Sequence, residues 1–97
     1  MTEIRFPAEA IVQQDDAKVR VTQWRIAPGT ETHGHVHEYD YVVVPITSGR
    51  LTVETPDAMT NYLTIEAGQS YSRPAGTEHN VANDTDDEIV FVEIELK

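Results

Sequence analysis

His33 to Pro45 reads HGHVHEYDYVVVP, and how this stretch is read decides the fold. Three of the chain's four histidines stand at alternate positions, directly ahead of Tyr41-Val42-Val43-Val44. Val and Tyr are strong strand formers, because β-branched and aromatic side chains pack well on a pleated surface. In an extended chain alternate residues share a face, so His33, His35 and His37 point one way, about 6.6 Å apart from one to the next. Imidazoles at that spacing can converge on one point. A metal ion is a common reason for such convergence, against the plainer alternative of solvated histidines at a polar strand entry.

Outside this stretch no segment of ten or more residues shows helical apolar spacing, whereas short strand signals recur between turn residues. The spacing predicts strands over Lys18–Ile26, Arg50–Thr55, Asn61–Ile65, Ser70–Ser72, His79–Ala82 and Glu88–Leu96, with His35–Ile46 as one long central strand. Pro28-Gly29, Thr47-Ser48-Gly49, Pro56-Asp57, Ala67-Gly68, Pro74-Ala75-Gly76 and the run from Asn83 to Asp87 separate them. Positive φ angles are expected at Gly49, Gly68 and Gly76, and turn duty at Asn80 and Asn83. So many short strands with a turn every eight to twelve residues indicate an all-β sandwich or barrel.

The 97 residues suit one domain, with neither linker nor internal repeat. Hydrophobic content of 39% is too high for a disordered acidic tail. With 17 acids against 7 bases the formal charge is −10, which argues against nucleic acid or an anionic membrane as partner. There is no cysteine, so disulfide and thiolate chemistry are excluded, and any metal must be held by histidine, carboxylate, tyrosine or backbone. The first sixteen residues lack the pattern of a signal peptide, and no segment is apolar enough to span a bilayer as a helix. A cytoplasmic protein is the expectation.

The sequence GQSYSRPAGTEHNVAN, residues 68–83, has a glycine, five residues, Pro-x-Gly, two residues, a histidine, three residues and an asparagine. It resembles the second signature of the cupin superfamily at every fixed place. Gly29, His35, His37 and Gly49 resemble the first signature to within one residue of spacing, and 18 residues separate Gly49 from Gly68, as in the shortest intermotif loops of the family. The segments HVHEYDYVVVP and RPAGTEHN are further similar to small bacterial cupins labelled as β-alanine degradation proteins.

The resemblance implies a single cupin jelly-roll barrel (a double-stranded β-helix) over residues 1–97. It implies one divalent transition metal, Fe2+, Mn2+, Ni2+ or Zn2+, held inside by His35, His37 and His79. His33 falls outside the motif and is expected at the rim. The family's fourth ligand, a glutamate, has no counterpart here. Counting three residues beyond His37 reaches Tyr41, which an unbroken strand keeps on the ligand face, whereas Glu38 and Asp40 have the wrong parity. Tyr41 is left with three roles: phenolate ligand, hydrogen-bond donor to a bound water or substrate, or ordinary wall residue.

Arg73, beside Pro74, is either a solvated arginine or an anchor for a substrate carboxylate, for which its bidentate fork is suited. Tyr71 and Trp24 are candidates for the cavity wall or for plain core. Two function classes follow. One is a metal-dependent enzyme on a small carboxylate-bearing metabolite: a dioxygenase with a three-histidine site, an isomerase or a lyase. The other is a non-catalytic module that binds or senses a small ligand. A homodimer is also expected, through the apolar face Val90, Val92, Ile94 and Leu96 and the segment Ile4 to Val12.

Overall fold

The computed structural model describes residues 4–97, and they form eleven strands with no helix among the described residues. In chain order these are β1 (Phe6–Pro7), β2 (Glu9–Asp15), β3 (Val19–Ile26), β4 (Thr30–Glu31), β5 (His35–Val36), β6 (Asp40–Pro45), β7 (Gly49–Glu54), β8 (Thr60–Ile65), β9 (Tyr71–Arg73), β10 (Glu78–Ala82) and β11 (Ile89–Leu96). They make two facing sheets. One runs β1-β4-β10-β7-β8, with β5 also paired to β10; the other runs β2-β3-β11-β6-β9. The expectation of an all-β jelly roll is met.

Alternation within the strands builds the core. Ile26 on β3, Tyr41 and Val43 on β6, Leu51 on β7, Ile65 on β8, Val81 on β10 and Ile89 and Phe91 on β11 turn inward and pack together. Each large apolar side chain buried this way contributes about 1.5–3 kcal/mol relative to exposure. The turns are set by residues able to take left-handed backbone, with Gly68 at φ 81° and Gly76 at φ 88°. Gly49 is different. It is not among the positive-φ residues, and a Cβ there would meet the Ile89 side chain at 3.1 Å, so close approach rather than turn geometry explains it.

Three expectations need correction. First, His35 to Ile46 is not one strand. β5 lies beside β10 in one sheet, with His35 opposite His79, and β6 lies between β11 and β9 in the other. The chain bends between them at Glu38 and Tyr39, and His37 is held there by backbone bonds, its N–H to Thr77 O at 2.9 Å and its carbonyl from Gly76 N at 2.8 Å. A strand that switches sheets cannot stay straight.

Second, β2 was not legible. All seven of its residues are exposed, so it has no burial alternation to leave a period-two signal, and a bulge between Val12 and Gln14 shifts its register on β3. Third, Asn80 is a strand residue, its side-chain amide donating to Glu31 and Glu54 at 2.8 and 2.9 Å. Asn83 does hold a turn. Fully buried, it donates to Ile26 O and Asp87 O and accepts from Thr85.

Candidate metal centre

The inward faces of β5 and β10 and the bend after β5 bring His35, His37 and His79 together. Cross-strand pairing sets His35 directly opposite His79, and the bend swings His37 over them. The Nε2 atoms of His35 and His37 lie 2.9 Å apart, and those of His37 and His79 lie 3.2 Å apart. The three rings are mutually edge-on, at 73–87°. This grouping is the one the histidine motifs indicate.

The nitrogens need something between them. His35 Nδ1 is 2.8 Å from the carbonyl oxygen of His33, which only accepts, so Nδ1 carries the proton and Nε2 presents a lone pair. His37 Nε2 is close to both neighbours, and one N–H cannot serve two such contacts. Protonation of the cluster is disfavoured as well: burial, then the charge of neighbouring imidazoles, pushes His37 and His79 down to about 4. A cation at the convergence point satisfies all three lone pairs at once. Donors at right angles on an ion with bonds of about 2.1 Å lie about 3.0 Å apart, close to the two separations found. The donor set therefore fits a divalent transition metal that could be held by His35, His37 and His79.

His33 is not on the ligand face. Its φ of 71° turns its side chain outward, where it is largely exposed, and Nδ1 lies 3.3 Å from Glu31. Its contribution to the cluster is its carbonyl, which fixes the His35 ring.

Tyr41 faces inward despite the break before β6. Its ring stacks on His37 at 3.8 Å between centroids and 20° between planes. It is 2% exposed, and its buried hydroxyl makes no hydrogen bond of ordinary geometry among the described residues, with the Thr77 hydroxyl nearby. Burial, and then nearby Glu93, push that hydroxyl up to about 12. Such a group stays a neutral O–H donor at ordinary pH.

A cavity of about 210 Å³ opens from the cluster, bounded by His35 and His79 and by Tyr41, Tyr71, Arg73 and Glu93 among others. That volume equals about seven waters of bulk liquid, a space for a small metabolite. Arg73 stands on the inner side of β9 opposite Tyr41, its guanidinium 4.8 Å from the centre of the Tyr71 ring. One of its N–H groups is spent on Ser72 O, and its others have no protein partner among the described residues. Trp24 packs against the core and borders the neighbouring hollow around His35 and His37.

Glu93 escaped sequence reasoning. It lies on the inner side of β11, 8% exposed, with Oε1 3.8 Å from His37 Nδ1. Burial, and then the charge of Glu95, push it up to about 7. Its signal in the sequence is parity: in Val90-Phe91-Val92-Glu93-Ile94, the acid shares its face with Phe91 rather than with the valines.

Comparison with known proteins agrees with this picture. The chain is 55% identical over 93 residues to the β-alanine degradation protein BauB of Pseudomonas aeruginosa, covering 96% of this chain and 97% of that one. A cupin domain from Bordetella pertussis superposes with a TM-score of 0.92 at 52% identity, over 96% of each chain. A conserved protein with a double-stranded β-helix domain from Klebsiella pneumoniae, at 21% identity, shares the fold with a TM-score of 0.76, over 93% of this chain and 76% of that one. Residues 22–95 match the cupin domain family. With the barrel, both histidine motifs and a match over most of its length, the chain belongs to the cupin family.

Proposed function

We propose that residues 1–97 are one cupin domain that uses a mononuclear metal to turn over a small carboxylate-bearing metabolite in an oxygen-dependent reaction. The observation that carries this reading is the convergence of three imidazole nitrogens at the wall of a small cavity that also holds Arg73. The similarity to a relative named for β-alanine degradation supports a metabolite among short amino, hydroxy or oxo acids.

His35, His37 and His79 would hold a divalent ion, which would supply Lewis-acid polarisation of a substrate oxygen and, as ferrous iron, one-electron chemistry. The remaining work falls to the chain. Arg73 takes the substrate carboxylate with its free N–H groups, as a planar fork suits. Tyr41 stays protonated and donates its orphaned hydrogen bond to the bound substrate, orienting it without becoming a ligand. Leu51, Val81 and Phe91 keep the rest of the cavity dry, which strengthens each polar contact inside it.

One observation favours a second reading, a non-catalytic binder of the same small acid. Burial keeps Tyr41 protonated, so it cannot accept a proton, and among the described cavity residues Glu93 is the one carboxyl left for that work. Metal analysis of purified protein, followed by oxygen uptake over a panel of short acids, separates the two. Consumption with one acid supports the enzyme; saturable binding without consumption supports the binder.

We assign the assembly as a homodimer and the compartment as the cytoplasm. Among the described residues no helix is long and apolar enough to cross a membrane. The half-buried Val92 and Ile94 and exposed Leu96 of β11, with the exposed Ile11 and Val12 of β2, supply the apolar surface that a twofold pairing buries.

A further inference from the structure

The family's motif glutamate is missing, yet the site is not without a carboxylate. Glu93 reaches it from β11, a strand that bears neither signature. The register Glu93↔Val43 and Glu95↔Tyr41 lays both acids on the inner face beside β6. Glu95 is engaged by Arg20 at 2.6 Å. Glu93 has no such cation; the groups beside it are Glu95 on its own strand and His37, whose Nδ1 is 3.8 Å away.

Geometry also says which role Glu93 has. Its carboxylate groups with His37 and Glu95, not with His35 and His79, so it is not placed as a fourth ligand on the convergence point. It lies on the Nδ1 side of His37, while His37 Nε2 faces the other two histidines. Histidine ligands generally donate their second ring N–H to a carboxylate, a carbonyl or a water, which fixes tautomer and ring orientation. His35 has such a partner in the His33 carbonyl. For His37 the charged oxygen nearest that nitrogen is on Glu93.

We propose that Glu93 is the positioning residue of the metal centre: it accepts the Nδ1–H of His37 and so fixes the Nε2 lone pair toward the ion. It thereby returns to the site, through one imidazole, the negative charge that the absent motif glutamate would have placed on the ion. The 3.8 Å gap closes by a small side-chain rotation, and Tyr41 stacked on the opposing ring face limits His37 to motion in its own plane. This inference rests on the three-histidine reading above.

The test uses Co2+, which reports both affinity and geometry through its visible spectrum, on the full chain and on Glu93→Gln, Glu93→Ala and His79→Ala. Glu93→Gln keeps an acceptor oxygen and removes the charge. It should weaken Co2+ by about 10-fold, and Glu93→Ala by about 10- to 100-fold, with an altered spectrum in each. Metal-free melting should not fall in Glu93→Gln, because the change removes a buried charge rather than a packing contact; this separates positioning from a merely structural role. Nitrogen chemical shifts of His37 in Zn2+-loaded protein should show Nδ1 protonated. If Glu93→Gln binds Co2+ as tightly as the parent while His79→Ala does not bind, Glu93 has no such role and the histidine site stands. If the parent binds no Co2+, the histidine site falls and this assignment with it.

Discussion

On the outward side of β11 stand Val90, Val92, Ile94 and Leu96; on the inward side stand Ile89, Phe91, Glu93 and Glu95. The uniformly apolar face looks away from the cavity, and the face that carries two acids looks toward the histidines. A strand covered on one side only would show the reverse. The outward residues are flanked by Val42 and Val44 on β6 and by Val21 and Val19 on β3, so the apolar surface extends over three strands. The difference teaches that the more regularly apolar face of a strand need not be the one that faces the candidate site. The proposed dimer would cover the outward face, and the inner acids lie beside His37 and Arg20. Each prediction below acts on one of these two faces.

The largest effect is expected inside. His79→Ala should reduce metal content from up to one equivalent to none, because two imidazoles alone are a poor cage. His33→Ala should leave content nearly unchanged, since only the backbone carbonyl of that residue serves the cluster. Elemental analysis of both variants checks this, and equal losses would mean that the convergence point is not the binding site. Chelation of the parent should lower its melting temperature, by the binding free energy lost from the folded state.

The outward face comes next. Ile94→Lys places a charge amid Val21, Val42 and the other valines of the face. The dimer should dissociate at least about 100-fold more readily, because an unpaired charge at the centre of an apolar interface costs several kcal/mol. Sedimentation should show the variant as monomer at micromolar concentration. Its metal content should remain, which distinguishes the two faces; a variant still dimeric would move the interface elsewhere.

How much of this was legible follows from which residues carry period and which carry position. The jelly roll was legible because β7, β8 and β11 alternate cleanly and glycines and prolines separate them. The histidines were legible because a fixed motif places all three. β2 was not, since an edge strand exposed along its whole length gains its order from the ladder with β3. The break after β5 was not, since a switch between sheets is set by what each half pairs with, and no local residue announces it. Glu93 was hidden for a third reason. In Glu88–Leu96 the eye follows the valines, and an acid on the opposite parity reads as solvated until the strand's inner face is known.

Acidity sharpens the comparison further. In metal-free protein the folded chain holds His37 and His79 at about 4, against 6.5 unfolded. The unfolded chain therefore binds more protons between pH 4 and 6.5, and stability rises with pH across that window. Glu93, at about 7 against 4.5 unfolded, acts oppositely: the folded chain retains the proton, and stability falls between pH 4.5 and 7. Two histidines outweigh one carboxyl up to about pH 7, where the contributions cancel, so metal-free stability should rise to about pH 7 and level off above it. Glu93→Gln should remove this opposing contribution, so that metal-free stability above pH 7 exceeds that of the parent. Denaturant titrations at several pH values check this, and an unchanged variant would show Glu93 to be better solvated than its position suggests.

The smallest effect on stability is expected at Tyr41, where the two roles of an inner-face residue separate. Its ring fills the core and stacks on His37, and Phe preserves both. Its hydroxyl has no partner, so removing it relieves an unsatisfied buried group and should change stability by no more than about 1 kcal/mol, in the stabilising direction. Metal content should hold, because the three imidazoles that converge on the ion all remain. Turnover or binding of the small acid should drop by about 10-fold, the value of one hydrogen bond made only with the substrate bound. Loss of the metal in Tyr41→Phe would make the phenol a ligand after all, taking the place of the family's glutamate. Unchanged metal, stability and binding together would reduce Tyr41 to a wall residue. Of the three roles open to Tyr41 from sequence, the orphaned hydroxyl at the cavity favours the donor.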